Sequence, residues 1–103
     1  MNQNKTQYYL DKLQEEASEV IQAVSKIRRF GPDNHHPERT TTNRQELVGE
    51  IEDFLALIAA LEATQFINLE ANQSNIAQKF KVLIQWTGTN TTKRTYWQIP
   101  KVA

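Results

Sequence analysis

The chain has no cysteine, which removes disulfide frameworks, thiolate nucleophiles and thiolate-based zinc sites together. Only three glycines and three prolines interrupt its 103 residues, and they form no glycine-rich loop of the kind that cradles phosphate. Neither charge is in excess: twelve basic residues balance twelve acidic ones. The basic footprint by which proteins hold a polyanion is therefore missing, and a long nucleic acid is not an expected partner. No apolar run approaches membrane-spanning length, and the opening Met1-Asn2-Gln3-Asn4-Lys5 lacks the apolar core of a signal peptide. These absences point to a soluble, cytoplasmic protein with no membrane partner.

A hydrophobic fraction of 39% and a charged fraction of 23% lie near globular values, and a chain this short holds apolar material for one core, so residues 1–103 read as a single domain. Apolar residues recur at Leu10, Leu13, Ala17, Val20, Ile21, Val24 and Ile27, which predicts an amphipathic helix over about residues 6–29. Phe30-Gly31-Pro32 ends it, because glycine enters the left-handed region cheaply and proline cannot continue the hydrogen-bond ladder. Residues 32–42, with two prolines, two histidines and a threonine run, read as a long loop.

Asn43 followed by Glu46 fits a variant capping box and starts a second helix over about residues 44–66. Its apolar positions, Leu47, Val48, Ile51, Phe54, Leu55, Ile58 and Leu61, cover more than a narrow stripe. That breadth calls for burial from two sides, by the first helix and by another subunit. A third helix over about residues 73–86 is capped from Asn72 to Ser74 and carries Ile76, Phe80, Leu83 and Ile84 on one face. The remaining segment, 87–103, reads as an extended tail or short strand. The fold class is all-α, an antiparallel helical bundle.

The chemistry concentrates in Glu15-Glu16-Ala17-Ser18-Glu19 and Glu50-Ile51-Glu52-Asp53. A helix advances about 100° per residue, so Glu16 with Glu19, and Glu50 with Asp53, project as two carboxylate pairs. Each pair borders the apolar face of its helix, and antiparallel packing of those faces lets the pairs meet at the seam. Four anions gathered there would repel and in part protonate unless a cation compensated them. All-oxygen ligation favours a hard ion, Mg²⁺ or Mn²⁺, over zinc. The opposing reading is that these are ordinary charges on solvated helix faces.

Other side chains carry two readings each. Lys26 and Arg29 can hold phosphate oxygens or simply stabilise the end of the first helix. Glu46 suits a further ligand or the cap, and Glu52 projects to solvent. His35-His36 lie in a proline-bounded loop with no second ligand cluster, which favours a surface role. Trp86, Tyr96 and Trp97 can stack on a base or anchor a core or subunit contact.

The pattern Glu15-Glu16-x-x-Glu19, then Glu50-x-x-Asp53, resembles the EExxE and ExxD signature of the MazG-like all-alpha nucleoside triphosphate pyrophosphohydrolases. The block Lys26-Ile27-Arg28-Arg29-Phe30-Gly31, with Pro37 and Thr42-Asn43-Arg44, is similar to small phage and bacterial members. The resemblance runs from about Leu10 to Leu61. It implies Mg²⁺ ligands at Glu16, Glu19, Glu50 and Asp53, with Glu15 a lesser candidate for a second metal or for positioning water. It also implies hydrolysis of a (d)NTP to the (d)NMP and pyrophosphate, with Lys26 and Arg29 as the preferred phosphate contacts. Two other readings stay open: a non-catalytic nucleotide-sensing module, and a helical interaction protein whose acidic pairs are merely solvated.

Overall fold

The computed structural model of the chain describes residues 3–88. Those residues are all-helical, with α1 over Gln3–Phe30, α2 over Asn43–Ala63, one 3₁₀ turn at Glu70–Asn72 and α3 over Gln73–Thr87. The tail or strand expected after residue 87 lies outside the described residues beyond Gly88. The chain divides into two units, one ending at Ile67 and one beginning at Asn68. The first is a hairpin in which α1 packs on α2, and the second is built on the 3₁₀ turn and α3.

The α1 stripe is legible in its burial. Leu13, Ala17, Val20, Ala23 and Ile27 are shielded, whereas Leu10, Ile21 and Val24 fall on a flank that stays exposed, Ile21 by 65%. A seven-position stripe spans a wider arc than one facing helix covers, so the hairpin selects part of it. On α2, Leu47, Phe54, Leu57 and Ile58 are part-buried and Leu61 is 1% exposed, while Val48 is 52% exposed and Ile51 is also outside.

The turn between the helices is specified by hydrogen bonds rather than by its length. Gly31 has a φ of +88°, a conformation open to glycine at little cost, and its N–H donates to the Ile27 carbonyl at 2.8 Å to close α1. The Asn43 N–H donates to the Asn34 carbonyl, and the Arg44 N–H to the Pro32 carbonyl, each at 2.8 Å. The Asn43 side-chain amide donates to the Gly31 carbonyl at 3.0 Å, and the residue is only 4% exposed. Asn43 therefore joins the end of α1 to the start of α2.

This corrects the expected cap. Thr42, extended at φ −71° and ψ 161°, accepts from the Gln45 N–H at 3.1 Å, while the Gln45 side-chain oxygen accepts from the Thr42 N–H at 2.8 Å. The capping box sits one residue earlier than Asn43 and Glu46 would place it, because the extended backbone at Thr42 aims its hydroxyl at the first free amides. Glu46 is thereby freed to pair with Arg39.

The second helix also stops earlier than residue 66. Thr64 donates its N–H to the Ala60 carbonyl at 3.1 Å and its hydroxyl to the Leu61 carbonyl at 2.7 Å. Gln65 then turns left-handed at φ +66°. In the second unit, Asn72 precedes α3 but makes no side-chain cap, and Gly88, at φ +63°, closes that helix onto the Ile84 carbonyl at 2.9 Å. Among the described residues no helix is long and apolar enough to cross a membrane.

Candidate metal centre and adjoining cavity

The hairpin brings Glu16 and Glu19 of α1 to Glu50 and Asp53 of α2, and one carboxylate oxygen from each lies within 4.8 Å of the others. The i, i+3 spacing points each pair to one side of its helix, and the antiparallel seam sets the pairs against each other. Glu16, Glu19 and Glu50 are part-buried and Asp53 is exposed. One oxygen of Glu16 and one of Glu50, Oε2 in each case, are shielded from solvent and accept no hydrogen bond among the described residues.

The electrostatic consequence falls on the same two groups. Removal from water pushes the Glu16 carboxyl above its ordinary value, and the charges of Glu19, Asp53 and Glu15 push it further, against an opposing pull from Lys12. The Glu50 carboxyl is raised first by a hydrogen bond shared with Glu19, then by burial, then by the charges of Glu19, Asp53 and Glu16. Such a group of acids can hold a proton between its members or bind a cation that removes the repulsion.

Glu15 lies outside the cluster, exposed, with Lys12 at 3.6 Å. Glu52 faces solvent. The Arg29 guanidinium sits 5.2 Å from the centre of the Phe30 ring, a cation–π contact. Trp86, on α3 in the second unit, is 85% exposed, while Tyr96 and Trp97 lie outside the described residues.

A cavity of about 420 Å³ opens where the loop folds between the helices, lined by Lys26 and Phe30 of α1, His35, His36 and Arg39 of the loop, and Glu46 of α2. Its position in the chain was legible only as a proline-bounded loop. The signal for its closure is two ion pairs, Asp33 with Arg44 at 3.1 Å and Arg39 with Glu46, which tie the loop to the first turns of α2. Arg39, Asn34 and Asn43 thus join the side chains of interest, although no spacing rule singles them out.

Comparison with protein-family models, curated proteins and solved structures finds no match for this chain.

Proposed function

We propose that the chain is a Mg²⁺-dependent nucleoside triphosphate pyrophosphohydrolase of the MazG-like all-alpha type. The observation that carries this reading is the convergence of Glu16, Glu19, Glu50 and Asp53 within 4.8 Å, two of them with a shielded oxygen that accepts nothing. A buried, unpaired carboxylate oxygen is costly, and a hard cation relieves that cost with the oxygen donors it prefers. The donor set fits Mg²⁺, with Mn²⁺ the nearest substitute. The sequence pattern of two acid pairs on successive helices supports the same assignment.

When bound, the cation would neutralise the triphosphate and make an attacking water more acidic. In the proposed reaction the water oxygen bonds to the α-phosphorus, the bond from that phosphorus to the bridging oxygen breaks, and pyrophosphate leaves with the electron pair. A carboxylate of the cluster accepts the proton that water gives up, Asp53 being the exposed member, and Glu15, outside the cluster beside Lys12, is a lesser candidate for a second metal or for positioning the water. Lys26, on the Glu19 side of α1, offers an ammonium to the phosphate oxygens.

The exposed apolar flank of Leu10, Ile21 and Val24 on α1, with Val48 and Ile51 on α2, supports assembly into a homodimer or homotetramer. Light scattering at working concentration reports it, and a monomer removes it.

The deciding experiment measures pyrophosphate release from a panel of nucleoside triphosphates with and without Mg²⁺. Asp53→Asn and Glu16→Gln each lower it by roughly a hundredfold or more while helical circular dichroism is kept. Full turnover in both variants ends the enzymatic reading, and tight Mg²⁺-nucleotide binding without turnover in the unmodified chain replaces it with a nucleotide sensor.

A further inference from the structure

We infer that the cavity under the α1–α2 loop is the subsite for the nucleoside end of the substrate, with His35 and His36 reading the heterocycle. This rests on the carboxylate cluster being the polyphosphate end of the site, as proposed above.

Position is the first support. Lys26 lies two helical turns beyond Glu19 on the same side of α1, and Glu46 lies one turn before Glu50 on α2, so the cavity begins roughly 6–10 Å along the seam from the carboxylates. At about 420 Å³ it falls within the range of about 300–1,000 Å³ typical of small-molecule sites.

Charge is the second. Arg39 is neutralised by Glu46, which leaves Lys26 as the one lining cation with no ion pair among the described residues. The remainder of the wall carries no permanent charge: the Phe30 ring, Pro37, two amides and two imidazoles. A wall of that kind is a poor second anion site and suits an uncharged polar ring, with Lys26 toward the phosphates.

The third is the hydrogen-bonding state of the histidines. His35 Nδ1 lies 2.8 Å from the His36 carbonyl oxygen. A carbonyl only accepts, so Nδ1 carries the hydrogen and a neutral ring keeps its free lone pair on Nε2. His36 Nδ1 accepts from the Glu38 N–H at 3.1 Å, so a neutral ring carries its hydrogen on Nε2. For neutral rings the loop backbone thus sets one acceptor and one donor on adjacent residues, the two kinds of group that a nucleobase edge pairs with. Asn43 and the two ion pairs hold the loop in place before any ligand arrives, which lowers the ordering cost of binding.

The test is calorimetry in Mg²⁺ with inorganic tripolyphosphate and with the four common deoxynucleoside triphosphates, on the unmodified chain and on the His35→Ala/His36→Ala double variant. The unmodified chain is expected to bind at least one nucleotide about tenfold or more tightly than tripolyphosphate, a difference of about 1.4 kcal/mol, and to discriminate among bases. The double variant keeps tripolyphosphate affinity and loses both the excess and the discrimination. His36→Gln, which retains an N–H donor, keeps part of them. Equal affinity for tripolyphosphate and every nucleotide in the unmodified chain, or unaltered discrimination in the double variant, overturns the subsite and leaves the metal reading standing. Absence of binding by tripolyphosphate and nucleotides alike removes the metal reading, and this inference with it.

Discussion

Glu19 of α1 and Glu50 of α2 face each other across the seam with carboxylate oxygens within 4.8 Å, and Glu19 is the largest cause of the raised Glu50 carboxyl. The arrangement stores repulsion at neutral pH. Either a proton or a metal ion relieves it, and the two compete for the same oxygens.

The pH dependence follows from the sign of the shifts. Glu16 and Glu50 are raised in the fold above the ordinary 4.5, so their protonated forms favour folding. That contribution is fully present below the unfolded value and is lost as pH rises through the folded one. In chelator, thermal melts should show the Glu16→Gln/Glu50→Gln variant gaining stability over the unmodified chain at pH 7.5, with the gap closing toward pH 4. A gap independent of pH would contradict the shifts.

Mg²⁺ should stabilise the unmodified chain. At a hundredfold excess over Kd the gain is about 2.7 kcal/mol, read as a rise in Tm that Asp53→Asn diminishes. The same ion at the same concentration should leave the Tm of a Glu16→Gln/Asp53→Asn variant nearly unmoved.

Asn43→Ala removes the amide that reaches the Gly31 carbonyl and leaves that acceptor unpaired beside a nearly closed site. A loss of about 1–3 kcal/mol is expected. The denaturant midpoint measures it, and hydrogen exchange should quicken at Asn43 and Arg44, whose amides close the loop.

Gln65 holds a left-handed backbone that costs a residue with a Cβ about 1–2 kcal/mol. Replacement by glycine should therefore raise stability, by less than that amount because glycine also frees the unfolded chain. Gly31→Ala, at φ +88°, should act in the opposite direction. Urea denaturation of both variants gives the comparison.

Much of the first unit could be read before any coordinates. Glu16, Glu19, Glu50 and Asp53 stood out because spacing by three fixes a common side on any helix, and bordering apolar residues tie that side to the seam. The cap of α2 is ambiguous by one position in the sequence, since Thr42 and Asn43 are both good caps and Gln45 and Glu46 both suit the return bond. Only the backbone angle at Thr42 separates the two. The end of α2 carried no glycine, so a left-handed Gln65 left no mark. Exposure of Ile21 could not be told from the burial of Val20, because a broad stripe leaves the facing arc undetermined. The cavity depends on Arg39 reaching Glu46 and Asn43 reaching Gly31, contacts across a turn that periodicity does not describe.

All four clustered acids belong to one hairpin of one chain. If copies assemble, each therefore brings a self-sufficient set of ligands, and no copy borrows a carboxylate from its neighbour. Mixing a chain crippled at Glu16 with one crippled at Asp53 should restore nothing, and in mixed assemblies the output should fall in proportion to the fraction of damaged copies.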